Sequence, residues 1–580
     1  MNFQKIVTGL ALLICSVLCS ARSLKLAKDL EKADSSTQVD VIIQFIHQPG
    51  PQEHAAVEKH GGRLKYELGL ISAAIYAVPA STLETLADEP GVLYISPDRP
   101  VSALLDYTDP TVGANIALAN GWDGTGVGVA IIDSGITVSR DLQSPTVNGS
   151  SSSRVVYSQS FVSGSTSTAD QYGHGTHVAA IVGGNGAAST GSSYFKTFRG
   201  IAPNANLINL RVLDGNGAGT DSGVISAINR AVQLKNQYNI RVINLSLGRP
   251  VYESYKLDPL CQAVEKAWNA GIVVVVAAGN EGRNQSQKTG GYATITAPGN
   301  DPLVITVGAM KHMNTSSRSD DLIASYSSKG PTLIDHIVKP DLVAPGNRII
   351  SLQASKSLTS SKSSTNRILY SYYQTTANRS YSADYYRLSG TSMATAVASG
   401  TAALMLHKDW SLRPETIKAR LMKTASKTFP SYSTAVDPNT NVQYISQYDM
   451  FTIGAGYIDA WAALNSTDFV NVGSTAASPT AVFNSQTNTV TVVNSDTSAW
   501  GTAAVWGTAA VWGTAAVWGT SVWIDGAAAV WGTSALWGSA AVWGTSTIQG
   551  NAAVWGTAAV WGTTANDAGE GLGQLLAGEN

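Results

Sequence analysis

The chain has 580 residues, more than a single core usually serves at roughly 150 residues per domain, so several units are expected. Apolar residues make up 44 % and charged residues only 13 %, so a large buried core is possible. Lys plus Arg number 38 against 40 Asp plus Glu, a net charge of −2 that lacks the basic excess of a nucleic-acid binder.

The first element is Lys5 followed by an apolar run from Ile6 to Cys19 and then Ser20-Ala21. It reads as a secretory signal peptide over residues 1–21, which predicts a secreted protein, extracellular or periplasmic. The run is too short to span a bilayer comfortably, and no later stretch reaches the roughly 18 apolar residues a membrane helix needs. Cys15 and Cys19 leave with the signal, so only Cys261 remains and no intrachain disulfide can form. Cys261 follows Asp258-Pro259-Leu260, a helix start with Pro at its first position, and shares a helical face with Val264 and Trp268. A small core residue is expected there rather than a nucleophile.

Residues 22–105 hold charged helical pieces between strand signals at Val39–Phe45, Ala73–Val78 and Val92–Ile95, a small α+β unit. The pattern then changes. In 106–465 near-continuous apolar runs each end in a polar or glycine-rich turn. Gly126–Ile132 ends at Asp133, Leu207–Leu213 at Asp214-Gly215, Val242–Leu245 at Ser246-Leu247-Gly248, and Ile272–Ala278 at Gly279-Asn280. Helical stretches such as Asp221–Lys235 and Asp258–Asn269 separate them. Buried runs alternating with helices predict an α/β domain with a doubly wound, mostly parallel sheet. Ligands bind beyond the carboxyl ends of such strands, so the polar residues there are the place to look for chemistry.

The last Lys or Arg is Lys427, and seven Asp and two Glu after it give that stretch −9, which leaves +7 on the first 427 residues. From 466 to 580 the sequence repeats Ala-Ala-Val-Trp-Gly-Thr, and ten of the fourteen tryptophans lie between Trp500 and Trp561, most of them six apart. An even period keeps Trp on one face of an extended chain. A stacked sheet, a sticky surface module and low-complexity sequence without a fixed fold all fit that pattern.

Three segments carry chemistry. Ile131-Ile132-Asp133-Ser134-Gly135 places an acid at a strand end, Gly173-His174-Gly175-Thr176-His177 a histidine at a helix start, and Gly390-Thr391-Ser392-Met393-Ala394 a serine at another. Acyl transfer needs a nucleophile, a base to take its proton and an acid to orient the base. The helix opening at Ser392 adds free N–H groups and a positive dipole end for a developing oxyanion. Each residue alone is ordinary; a serine at a helix start is most often only an N-cap. In the order Asp, His, Ser, each with flanking glycines, they are specific.

Residues 107–465 resemble the subtilisin-like serine proteases. The matching blocks are the three above together with Asn244-Leu245-Ser246-Leu247-Gly248, Ala277-Ala278-Gly279-Asn280-Glu281-Gly282 and Lys339-Pro340-Asp341-Leu342-Val343-Ala344-Pro345-Gly346. The resemblance implies Ser392 as nucleophile, His174 as general base then acid, Asp133 as orienting acid, Asn280 as oxyanion-hole amide and His177 as structural. It implies that a protein or peptide substrate lies extended between Ser246-Leu247-Gly248 and the Gly217-Ala218-Gly219 loop. Gly279 then lines the primary pocket, narrowed by Thr296 where many relatives have glycine. No cofactor is required for the chemistry. Structural calcium is possible, because Asp141 matches a family ligand, although the partner loop from Asn185 to Ser193 does not match clearly; the metal ligands stay open. Ala396 replaces the family's usual proline. The stretch Ser355–Arg387, rich in Ser and then Tyr, looks like an insertion that serves as a lid or subsite wall, or is a plain surface loop. Residues 22–105 resemble the inhibitory propeptide, which makes the chain's own N-terminal segment its inhibitor, with a first cut near Ala103–Tyr107. A surface or adhesion protein in which the Trp-Gly repeat is the working part is the alternative. An acid-active relative with Glu in place of His is rejected by His174, since an imidazole base suits near-neutral pH.

Overall fold

The computed structural model describes residues 23–97 and 108–493, apart from 24, 28–29, 31–33, 69–71, 145–150, 285–288, 356, 363–365, 377–378, 438–440 and 485–488, and then 522–525, 528–530, 536–537, 575–576 and 578–579. The signal segment, the expected first cut at Ala103–Tyr107 and most of the repeat lie outside the described residues. The chain forms two compact units, Met1–Val101 and Ser102–Asn580.

In the first unit, strands β1 (Gln38–Phe45), β2 (Arg63–Leu68), β3 (Ala73–Pro79) and β4 (Val92–Pro97) form a sheet of order β2-β3-β1-β4, antiparallel throughout. Along β1 the alternate residues Val41, Ile43 and Phe45 are buried, the period of a strand with one face on a core. Helix α1 (Pro51–Lys59) begins with Pro, and the Gly50 N–H donates to the Glu53 carboxylate at 2.9 Å. Val57 of α1 and Leu86 of α2 (Leu83–Ala87) close the core against Tyr76 and Ile95.

The second unit is built on an eight-stranded sheet. Its members are β5 (Gly128–Asp133), β6 (Val155–Ser160), β7 (Asn206–Arg211), β8 (Ile240–Leu245), β9 (Val273–Ala277), β10 (Ile305–Lys311), β11 (Leu322–Ile323) and β12 (Leu342–Pro345). The order is β11-β10-β9-β8-β5-β7-β6 with β12 beside β10, and every pair is parallel except β10–β11. Strands β5, β9 and β10 are buried along their whole length, so both faces are covered, which suits their Val- and Ile-rich runs. From β5 the chain builds outward to β6 and β7 on one side and to β8, β9 and β10 on the other. The winding therefore reverses at β5.

Helices cap these strands. Helix α3 (Gly175–Gly183) follows His174, and α4 (Asp221–Tyr238) and α5 (Pro259–Asn269) pack on each other. The Thr220 hydroxyl accepts from Gly223 N–H at 3.2 Å to start α4, and Asn239 in the left-handed region ends it. Cys261 on α5 is buried with its thiol on Asn300 Oδ1, and burial pushes its pKa up, as befits an inert core residue. Helix α6 (Thr391–Lys408) is buried from Thr391 to Leu406 and packs against α3, β8, β9 and β10.

The expected insertion forms part of a second antiparallel sheet, β13 (Ile349–Leu352), β14 (Arg367–Leu369) and β15 (Tyr381–Leu388) in the order β13-β15-β14. It is not a plain surface loop. Tyr373, Tyr385 and Tyr386 are buried, and the Phe198 ring lies 4.7 Å from Tyr385 and 5.3 Å from Tyr373. Leu358 and Thr359 N–H donate to the Gln171 and Tyr172 carbonyls, each at 3.0 Å, directly ahead of His174.

Packing also runs past 465. Ser478 N–H donates to Pro302 O at 2.8 Å, Lys418 Nζ to Ser478 Oγ at 2.9 Å, and Ala481 N–H to His336 O at 2.8 Å. The composition break near 466 thus precedes the end of this packed unit, because the residues after it carry little charge yet still cap Lys418 and the edge at Val338. Thr480–Asn484 and Thr489–Val493 pair antiparallel, and Val522–Asp525 of the repeat joins the latter strand. Among the described residues no helix is long and apolar enough to cross a membrane.

Candidate active site

In an open parallel sheet the crevice for a ligand lies beyond the carboxyl ends at the point where winding reverses. Here that point is the end of β5, and its last residue is Asp133. The Asp133 carboxylate, 1 % exposed, accepts from His174 Nδ1 at 2.8 and 3.0 Å and from Ser134 N–H at 2.7 Å. With Nδ1 as the donor, Nε2 is the basic nitrogen of the His174 ring.

His174 immediately precedes α3 and Ser392 lies in the first turn of α6, and the two helices pack on each other. Ser392 Oγ donates to Ser246 O at 3.1 Å, and Ser246 Oγ donates back to Ser392 O at 2.9 Å. Asn244 Nδ2 donates to Ser246 Oγ and Ser399 Oγ to Asn244 Oδ1, each at 2.9 Å. The end of β8 is thereby fixed to the first three turns of α6. The Asn280 amide oxygen accepts from Thr391 N–H at 2.9 Å and from the Thr391 hydroxyl at 3.2 Å, which fixes the orientation of the amide with its NH2 on the opposite side. Residues 124–441 match the model of the Subtilase family.

The chain belongs to the subtilase family. It is a subtilisin-type serine endopeptidase. It is 35 % identical over 410 residues to serine protease AprX of Bacillus subtilis (strain 168), across 68 % of this chain and 85 % of that one. Subtilisin DY of Bacillus licheniformis is 35 % identical over 327 residues, 56 % of this chain and 93 % of its own. A cuticle-degrading serine protease of Arthrobotrys oligospora is 33 % identical over 283 residues, 47 % of this chain and 58 % of its own.

The positions expected to line the substrate cleft are grouped around two glycines. Gly279 has φ +105°, and a Cβ there would stand 2.8 Å from Thr296 Cγ2 and from Ser328 Oγ. A Cβ on Gly248 would stand 2.5 Å from Thr296 Oγ1. Thr296 therefore sits between Gly248 and Gly279. Leu247 follows Ser246 in the same segment after β8. In the other segment, Asp214 Oδ1 accepts from Asn216 and Ala218 N–H at 2.8 and 3.0 Å, and Gly217 lies against the Tyr172 ring. That ring is 6.4 Å from His174.

Two supporting residues escaped the sequence reading. Asp170 is buried, and its carboxylate accepts from Gly173 N–H at 2.6 Å, Thr176 N–H at 2.8 Å and Ser134 Oγ at 2.8 Å. It binds the start of α3 to the end of β5, although burial raises its pKa. Its signal was an Asp three residues before Gly173, a capping arrangement. Thr391 is the second, lying inside a motif whose serine drew the attention. His177 is structural in its contacts: Nε2 faces the Ile349 and Tyr386 carbonyls at 3.1 and 3.3 Å, and burial, with His174 nearby, pushes its pKa to about 3. It is neutral, with the proton on Nε2.

The residues at Asp141 do not fit a calcium ion. Asp141 Oδ2 accepts from the Tyr385 hydroxyl at 2.7 Å and Oδ1 from Ala188 N–H at 2.6 Å. Its main-chain oxygen accepts from the Arg154 guanidinium at 2.6 Å. Asn185 is likewise engaged, its Oδ1 accepting from Ala187 N–H at 3.0 Å and its Nδ2 donating to Gln143 O at 2.6 Å. N–H and O–H donors, one of them cationic, take the oxygens a hard cation would need. Burial also raises the Asp141 pKa to about 6, the opposite of what a cation-binding carboxylate wants.

Proposed function

We propose that this chain is a secreted endopeptidase, made as a self-processed zymogen, in which Ser392 is the nucleophile, His174 the base then acid, Asp133 the orienting acid and Asn280 an oxyanion donor. The observation that carries the reading is the Asp133–His174 bond at 2.8 Å, which directs the basic nitrogen of the ring away from the strand end. His174 Nε2 takes the Ser392 Oγ proton as Oγ bonds to the scissile carbonyl carbon, and the C=O pair moves onto oxygen. Asn280 Nδ2 and the Ser392 N–H donate to that oxyanion. On collapse the C–N bond breaks and His174 gives its proton to the leaving amine. Water then attacks the acyl-enzyme by the same route, and Asp133 stabilises the imidazolium in both halves.

Substrate is held extended between Ser246-Leu247-Gly248 and the Gly217 loop by main-chain pairing, with side-chain preference set beside Gly279 and Thr296. The small antiparallel unit within residues 22–105 acts as the propeptide, followed by the catalytic domain from 106. The signal at 1–21 supports export. The adhesion reading drew on the repeat alone and gains no support from the site or the relatives.

Intact mass and N-terminal sequencing of wild type beside Ser392→Ala test this. Wild type is expected to begin near residues 104–108 while the variant keeps its N-terminal unit. If both keep it and neither cleaves casein, self-processing through Ser392 is wrong.

A further inference from the structure

The segment beyond the repeat is seated on the catalytic unit. Leu575 is fully buried in the main core, and its carbonyl accepts from Ser389 N–H at 3.0 Å. The Leu576 carbonyl accepts from Asn366 Nδ2 at 2.6 Å. Glu579 is the most heavily held. Its Oε1 accepts from Arg283 Nη2 at 2.6 Å, from Ser325 N–H at 2.9 Å and from the Ser325 hydroxyl. Lys311 Nζ stands 3.1 Å from its Oε2. The Asn347 amide grips the Glu579 main chain both ways, Oδ1 accepting its N–H and Nδ2 donating to its carbonyl, each at 2.8 Å. Gly578 has φ +61°, and a Cβ there would meet Ser389 Oγ at 2.3 Å.

These contacts read sequence. Arg283 and Lys311 have side chains only 15 % and 6 % exposed, and Asp437 also pairs with Arg283 at 3.0 Å. Two largely buried cations converging on one point call for a carboxylate there. The turn before it admits only glycine, and the Asn347 amide fixes the direction of the main chain. Overall charge agrees, since the stretch after Lys427 is wholly acidic while the rest of the chain is basic.

We infer that this cleft is a docking site for the chain's own Leu575–Glu579 segment, recognised as a buried leucine followed by Gly-Glu, and that it fastens the Trp-Gly repeat to the enzyme at a second point. The first point is the packing at Ser478–Ala481, so 494–574 is anchored on both sides. The contact also falls on Ser389, whose Oγ accepts from Arg348 N–H at 2.9 Å three residues before Ser392.

The test uses the full chain with Ser392→Ala, to prevent self-digestion, and a cut site for a sequence-specific protease placed inside the repeat. After cleavage, size-exclusion chromatography with mass spectrometry asks where the fragment carrying Leu575–Glu579 elutes. It is expected to stay with the catalytic unit. Glu579→Gln, which leaves Lys311 without its acid and Arg283 with Asp437 only, is expected to weaken retention about a hundredfold or more. Gly578→Ala is expected to release the fragment without changing any charge. Both substitutions lie in the fragment, so the fold of the catalytic unit is common to all samples. A parent fragment that elutes apart, or variants retained as well as the parent, would overturn the inference. The readout needs no peptidase activity, so its outcome is separate from that of the proposed function.

Discussion

Thr391 ties the nucleophile turn to Asn280: its N–H donates to the Asn280 amide oxygen at 2.9 Å, and its hydroxyl accepts from Gly279 N–H at 3.2 Å. The Gly279-Asn280 loop and the serine turn are therefore held as one piece. Asn280→Ala is expected to lower kcat by about 10²–10³ with little change in KM, the cost measured for the equivalent donor in subtilisin itself. Thr391→Val keeps the main-chain bond and removes the hydroxyl, so a smaller fall of about tenfold is expected. Steady-state kinetics on a peptide anilide check both. An Asn280→Ala enzyme with unchanged kcat would remove the amide from the mechanism.

Thr296 stands between Gly248 and Gly279. Thr296→Gly should open the primary pocket and raise kcat/KM for Phe or Tyr over Ala or Val by about tenfold or more. A set of peptides differing only at the residue before the cut measures the ratio. No change in preference would place the pocket wall elsewhere.

Tyr385 occupies the carboxylate that a cation would need. Losing its hydroxyl leaves Asp141 buried and short of a donor, so Tyr385→Phe should cost about 1–3 kcal/mol and lower the Tm. Added calcium is expected not to restore it. Recovery of the wild-type Tm in calcium would show that the site takes the ion after all.

His177 gives a pH signature. Its folded pKa is about 3, below the ordinary 6.5, so the unfolded chain takes up a proton first as pH falls. Its contribution to stability is complete above pH 6.5 and is lost progressively from there toward pH 3. Denaturant titrations of the Ser392→Ala protein at a series of pH values should show that decline, and it should be shallower in Ser392→Ala/His177→Gln. Parallel curves would assign the acid sensitivity to other groups.

The Asp133–His174 pair and Ser392 were legible as a candidate site because they sit at a strand end and at helix starts, where local pattern and glycine spacing mark them. Buried runs such as Val273–Ala277 announced the parallel sheet for the same reason. What stayed hidden depends on contacts distant in sequence. Tyr385 meets Asp141 across 244 residues and Glu579 meets Ser325 across 254, and no local signal pairs them. The insertion was recognised as extra length, but its packing rests on Tyr373 and Tyr385 meeting Phe198 and on Leu358 and Thr359 meeting Gln171 and Tyr172, which no local pattern announces. The boundary at 466 was drawn on composition, and packing by weakly charged residues such as Ser478 ignores composition.

Helix α6 has a consequence for how activity is lost on warming. The element whose first turn bears Ser392 is also the axis of the core, enclosed on every side through Leu406. Ser392, the proposed nucleophile, thus sits on a helix buried from Thr391 to Leu406, so loosening of that helix would displace it. Loss of turnover on warming is therefore expected to track the cooperative melting of the whole unit instead of preceding it.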